Sequence, residues 1–336
     1  MEKSIQKKFQ NAVKTHRDSL VDILSNTEEK KNTCLGPCDT TEITNLVEEH
    51  DAALERIEQG KFGKCIECKD DVEIDRLELD FTTQVCLGHY TDTQLKVLEQ
   101  DLELAAKVQR QLLPQELPNL PGFQIAVDTE PAHIVTGDYF DFYTYTDNSQ
   151  GIAVADVMGK GLPASMLMSK LQAFLRILGP ELTTLHTLAK RLNELLRYNL
   201  TLIRFISLFL IKLDVKKKEM FYCNAGHNPG IWYKSKTKSI QLLKPTGPAI
   251  GLSHSAEYYT DNIKLNFGDL IVIYTDGIIE ARDKNNEEFG QYRLEEFIKV
   301  NKDKSAKELL SEFKKSFKSH IVSNRDDNTM LIIKVL

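Results

Sequence analysis

The stretch GIAVADVMGKGLPASM, residues 151–166, decides how the chain is read. Five mostly small or β-branched residues run into Asp156, then Gly159-Lys160-Gly161, then an apolar stretch with helical character. A strand, a glycine turn and a helix is also the layout of a phosphate-cradling loop. That loop needs GxxxxGK[ST], with the hydroxyl residue on the magnesium. Here Gly161 follows Lys160, and the position five before Gly159 is Val154, so the nucleotide reading fails. Asp156 is then the point of the segment. The glycines are expected to let the backbone pass close to a metal held by Asp156, with Val157 able to offer its carbonyl.

Further acids stand where strands meet turns. TGDYFDFY puts Asp138 at a strand start, and LIVIYTDGIIEA drives an apolar run into Thr275-Asp276-Gly277. SNRDDNTMLIIKVL places Asp326 and Asp327 just before the last strand. Singly each has a plain structural reading, since Asp-Gly after a strand is ordinarily a turn. Together, four converging carboxylates repel one another unless cations neutralise them. Carboxylates without cysteine or clustered histidine select hard ions, magnesium or manganese. Two such ions about 3.5–4 Å apart bind a phosphate and lower the pKa of a bridging water. This chemistry needs no nucleophilic serine or cysteine.

Composition excludes other classes. The 336 residues are 41% hydrophobic and 27% charged, as in ordinary globular proteins. No run of 18 apolar residues occurs, and MEKSIQKKFQ lacks the apolar core of a signal peptide, so a cytoplasmic location without membrane contact is expected. Residues 1–93 carry 12 Lys and Arg against 20 Asp and Glu, which argues against direct nucleic-acid binding there.

Ile5, Phe9, Val13, Leu20 and Leu24 form one helical stripe, and Ile43, Val47, Leu54 and Ile57 a second. A turn-like tip between them predicts an antiparallel helical hairpin. From 94 to 113, Leu95, Leu98, Leu102, Ala105 and Leu112 keep a heptad rhythm that Gln109 interrupts. Such a seam wants a partner helix, so a homodimer through 94–113 is a candidate. Beyond a proline-rich boundary, strand-like runs interrupted by paired helices predict an α+β layered domain.

GDYFD, ADVMGKGLPASM, NAGHNPGIWY, GPAIGL, YTDGIIEAR and DDNTMLIIKV, in that order, resemble the SpoIIE/RsbU branch of the PPM metal-dependent Ser/Thr protein phosphatases, over roughly residues 105–336. The resemblance implies an αββα sandwich with a dinuclear manganese or magnesium site. By motif match Asp156 bridges both ions, Val157 adds a carbonyl, and Asp138, Asp276 and Asp326 complete the set, with Asp327 a neighbour. It also implies a phosphoserine or phosphothreonine substrate on an anti-sigma-factor antagonist, and helices near the site that act as a switch. Thr136 replaces the first glycine of the usual GGD, and His133 and Ile134 stand where relatives often carry Arg and Glu. Met158 occupies the position of the histidine, a candidate general acid, of eukaryotic relatives. His227 is expected to shape a turn rather than to act as an acid.

Cysteines stand at 34, 38, 65, 68, 86 and 223. Cys65 and Cys68, then Cys86 and His89, have the spacing of a four-ligand zinc site, against a redox CxxC as the alternative. With the preceding hairpin, ALERIEQGKFGKCIECKDD…CLGHY resembles the DksA/TraR zinc-finger family over residues 1 to about 92. In that family the hairpin tip enters RNA polymerase. The tip here lacks the paired-aspartate DxxDxA pattern, which argues against polymerase binding, although a polymerase-binding regulator with a scaffold phosphatase fold is the rival reading. Cys34 and Cys38 at the tip have no assigned role. The expected organisation is a DksA/TraR-like module at 1–92, a helical linker at 93–120 and a PPM domain at 121–336.

Overall fold

The computed structural model describes residues 3–29, 40–182, 184–196, 205–253, 255–322 and 326–336. The chain forms two compact units, Met1–Glu99 and Gln100–Leu336.

In the first unit, α1 (Lys3–Glu29) and α2 (Thr40–Glu58) pack along their length. Phe9 and Val13 of α1 meet Ala53 and Ile57 of α2, and Phe62, Val72 and Leu77 close the core beneath them. The stripe read from sequence is therefore present, but it is not wholly apolar. His16 and His50 are both buried within it, with His16 Nδ1 2.8 Å from His50 Nε2. His50 Nδ1 lies 2.7 Å from the Leu46 carbonyl, which can only accept. In the neutral pair His50 therefore carries its proton on Nδ1 and accepts from His16. A short α3 (Ile74–Leu79) within the cysteine segment was not anticipated. The hairpin tip, residues 30–39 with Cys34 and Cys38, lies outside the described residues. Helix α4 (Asp92–Leu112) follows.

The second unit contains two antiparallel sheets. One is ordered β1 (Phe123–Glu130), β10 (Asn328–Val335), β9 (Leu270–Tyr274), β6 (Gly230–Lys234), β7 (Ser239–Leu243). The other is ordered β2 (Asp138–Thr144), β3 (Gln150–Val157), β4 (Ile206–Asp214), β5 (Glu219–Ala225), β8 (Asp261–Lys264). Successive strand side chains point to opposite faces, and here both faces are buried. Ile152, Val154, Phe209 and Ile211 of the second sheet share a core with Ile271, Ile273, Leu331 and Ile333 of the first. The alternate residues Ala153, Ala155, Leu208 and Leu210 pack under α5 (Gly161–Glu181) and α6 (Leu185–Leu196). Val272, Tyr274, Met330 and Ile332 pack under α7 (Asp276–Glu280), α8 (Gly290–Asn301) and α9 (Ala306–His320). Helix, sheet, sheet, helix is the layering expected, and double-sided burial explains why these strands read as continuous apolar runs. Helix α9 starts where Ser305 and Glu308 form a reciprocal capping box.

Asp141 is among the acids sealed inside. Asp141 on β2 is fully buried and receives Arg176 Nε and Nη2 at 2.6 and 2.8 Å, and the Tyr139 hydroxyl at 2.5 Å. This fork ties α5, the helix that follows the glycine loop, to the strand that begins at Asp138. Replacing Arg176 by alanine strands the buried carboxylate. Because Arg176 itself is half exposed, the expected loss is about 2 kcal/mol in chemical denaturation, below that of a fully buried pair.

Candidate active site

Strand pairing brings the first two acids together, since Asp138 and Asp156 are directly opposed partners of β2 and β3. Asp276 opens α7, whose N-cap is Thr275 at the end of β9, and Asp326 precedes β10. The Asp-Gly pair is thus the first turn of a helix rather than a plain turn. Gly277 is obligatory: a Cβ there would lie 2.1 Å from the Asp327 carbonyl oxygen. All four carboxylates meet at one edge of the sandwich, where they perturb one another. Burial and then Asp156 push Asp138 well above the usual carboxylate range, against hydrogen bonds from Thr329 and Thr275. Burial, followed by Asp276, Asp326, Asp327 and Glu280, pushes Asp156 up to about 8. Burial, Asp326 and Glu280 push Asp276 up to about 6.

Neighbouring groups aim these acids. Thr275 Oγ1 donates to Asp138 Oδ2 at 2.8 Å while accepting the Thr329 N–H at 2.9 Å. Asp327 differs sharply from Asp326: its two oxygens accept the N–H groups of Ala132 and Gly137 at 2.8 and 2.7 Å. It is a strap, and Asp326 is the acid left at the opening. Lys160 Nζ stands 3.2 Å from Asp326, so the failed phosphate-loop lysine does reach the acidic cluster. The flanking Gly159 and Gly161 have φ of +110° and +69°, with open space where a Cβ would stand. Left-handed backbone by itself demands glycine at both positions. The Val157 backbone N–H donates to the Gly137 carbonyl at 3.4 Å, which keeps Val157 beside the Asp138 loop.

Glu280, one helical turn beyond Asp276, escaped sequence reasoning, as did the roles of Thr275 and Lys160. Asp-x-x-x-Glu at i and i+4 was the available signal for Glu280. His227 is buried, with Nδ1 2.7 Å from Ser207 Oγ, and burial lowers its pKa to about 4. It stays neutral and structural. His133 and Ile134 are exposed, and Met158 is partly so.

The donor set fits hard divalent cations: every candidate is a carboxylate or carbonyl oxygen, and the raised acids would be relieved by positive charge. These oxygens are more spread out than a mononuclear cage, because among the described residues the Cys/His group is the one cluster of three or more ligand atoms within 4.8 Å of one another.

The second cluster belongs to the first unit. Cys65, Cys68, Cys86 and His89 present four ligand atoms within 4.8 Å, and no cysteine among them is in a disulfide. Cys68 and Cys86 sulfurs are 3.6 Å apart. A tetrahedron with Zn–S bonds of about 2.3 Å has edges of about 3.8 Å. Burial disfavours the Cys65 thiolate, but backbone N–H groups of Cys68, Cys86 and Glu67 outweigh it and hold the thiol down at about 6.

The SpoIIE family model, Stage II sporulation protein E, matches residues 146–336. Phosphoserine phosphatase RsbU of Bacillus subtilis is 31% identical over 267 residues, covering 76% of this chain and 78% of that protein. The chain belongs to the SpoIIE family of PPM phosphatases. Protein IcfG of Synechocystis is 30% identical over 263 residues, 69% of this chain and 41% of its own length. Among solved structures, the SiaA-PP2C domain of Pseudomonas aeruginosa superposes with a TM-score of 0.63 at 20% identity, covering 72% of this chain and 98% of its own, and shares the fold. The SpoIIE match takes in Asp156, Asp276 and Asp326 but begins after Asp138.

The raised acids set a pH dependence for the metal-free protein. Asp156 and Asp276 hold protons in the folded state at pH values where the unfolded chain, with aspartates near about 3.9, has released them. The folded state therefore binds more protons, and stability falls as pH rises from about 4 to about 8. In chelator, the melting temperature of the SpoIIE-family unit is expected to drop between pH 5.5 and 8.5. Manganese is expected to raise it more at pH 8.5 than at pH 5.5, where protons compete.

Proposed function

We propose that this SpoIIE-family chain is a manganese- or magnesium-dependent protein phosphatase that hydrolyses phosphoserine or phosphothreonine on a regulatory protein of the anti-sigma-factor-antagonist kind. The observation that carries the proposal is the gathering of Asp138, Asp156, Asp276 and Asp326 at one sandwich edge, where the first three are raised above the usual carboxylate range. Kinship with a protein named as a phosphoserine phosphatase supports the substrate class.

In this reading Asp156, the Val157 carbonyl, Asp138, Asp276 and Asp326 would hold the ions. Bound there, divalent cations would lower the pKa of a water and offset the charge of the phosphoryl oxygens. The chain itself contributes geometry and charge. Thr275 fixes the direction of Asp138, and Asp327 straps the Gly137 loop. Lys160 adds positive charge where a phosphate dianion would approach. Neither Met158 nor the neutral, buried His227 can protonate the departing serine, so that proton comes from another group or from water.

The organisation that goes with this reading is a DksA/TraR-like hairpin and zinc module at 1–92, a helical linker at 93–120 and the phosphatase at 121–336. Zinc held by Cys65, Cys68, Cys86 and His89 would pin the segment beneath the hairpin, and the module would regulate turnover. Val97, Leu104 and Val108 are exposed on one face of α4, which supports a dimer through that helix. No helix among the described residues is long and apolar enough to cross a membrane.

Phosphate release from a phosphoserine protein is expected only with manganese or magnesium, and Asp276→Asn should lower it by about 100-fold or more. Metal-independent release that survives this substitution would sink the proposal. Purified protein should carry about one zinc per chain by elemental analysis, and Cys86→Ser should lose it. Retention of full zinc by that variant would remove Cys86 from the ligand set.

A further inference from the structure

Gln109 breaks the heptad rhythm of α4, and it is one of the two buried residues of that helix, the other being Ala106. Its side chain makes one donor bond and one acceptor bond to a single partner. Nε2 donates to the Thr136 carbonyl at 2.6 Å, and Oε1 accepts the Thr136 N–H at 3.0 Å. The amide thus satisfies Thr136 as a neighbouring strand would, at a residue only 5% exposed. An apolar side chain at 109 would continue the seam but leave both groups of Thr136 buried and unpaired.

Thr136 begins the loop that carries Asp138, and every N–H of that loop is taken by a different acceptor. Thr136 gives its N–H to Gln109, Gly137 to Asp327, and Asp138 to the Thr136 hydroxyl at 2.9 Å. Of the three acceptors, Gln109 is the one on a helix outside the sandwich core. The direction of the Asp138 carboxylate is therefore referred to the position of α4.

We propose that Gln109 is a positioning residue through which α4 holds the 136–138 loop, and with it Asp138, in metal-binding geometry. The inference rests on the metal-dependent phosphatase reading above. A helix advances about 100° and about 1.5 Å per residue. Slipping or turning α4 by one residue breaks both bonds to Thr136 at once, so the contact is held or released as a unit. Helix α4 starts in the first unit and ends in the second, which makes it the chain's own route for such a displacement.

The test uses the full-length protein. Gln109→Met keeps the length and helical preference of the side chain and removes both bonds, Gln109→Glu retains one, and Lys107→Ala on the exposed face serves as control. Manganese binding is measured by calorimetry, hydrogen exchange is followed over residues 133–140, and kcat and KM are determined separately with phosphoserine substrate. Gln109→Met is expected to bind manganese about 10-fold more weakly, with faster exchange at Thr136, reduced kcat and little change in KM. Gln109→Glu should fall between it and the wild type, and Lys107→Ala should match the wild type. If Gln109→Met does not fold, Gln109→Glu carries the same comparison. Faster exchange at Thr136 with manganese affinity within twofold of wild type would reduce Gln109 to a structural contact and overturn the inference. Failure of the wild-type protein itself to bind manganese would instead overturn the phosphatase reading, and the inference with it.

Discussion

Burial first, and then repulsion from neighbouring acids, raises the proton affinity of Asp138, Asp156 and Asp276, and this is the constraint around which the second unit is organised. Antiparallel register puts Asp138 against Asp156, so two of the acids oppose each other by strand pairing alone. Asp276 and Asp326 come from the other sheet's β9 and β10 ends, which closes the cluster from both sides. Only a scaffold already stable can hold such a group ionised. The double-faced burial of β3, β4, β9 and β10, with three apolar cores around them, supplies that stability away from the edge. Divalent cations convert the same repulsion into affinity.

The fold was legible because its signals are local and repeated. Continuous apolar strands bounded by Asp, Gly and Asn mark where sheets end, and four helices of the second unit fall where apolar periodicity puts them. The acids were legible for a related reason: an acid at the end of a buried strand has few structural explanations. Short α3 and α7 were missed because six and five residues carry no helical rhythm. Glu280 and Lys160 were missed as contributors because their importance lies in what they face across space. Gln109 looked like a flaw in a heptad, since nothing local shows that its partner is the backbone of Thr136, 27 positions away.

The first unit makes a similar point with different chemistry. Its hairpin seam reads as apolar, yet a histidine pair sits between Val13 and Ala53 on one side and Leu20 on the other. Phe81 packs edge-on against both rings, so the pair is enclosed by the segment that lies between the cysteine knuckles. The hairpin and the Cys/His cluster thus share one small core, with Cys65 and Cys86 among its members. Ordering of that cluster and packing of the helices belong to one cooperative event.

The two sheets are joined in two ways. Over most of their area they meet through side chains such as Phe209, Ile273 and Leu331, contacts that tolerate sliding because dispersion has no preferred direction. At the acidic edge, Thr275 to Asp138 and Gly137 to Asp327 cross from sheet to sheet as hydrogen bonds, which weaken steeply when bent. Asn224 Nδ2 on β5 adds a further cross-sheet bond to the Leu243 carbonyl on β7, away from that edge. The sandwich is therefore like a book bound mostly by grease and stitched at a few points, and the corner that carries the chemistry is one of the stitched ones.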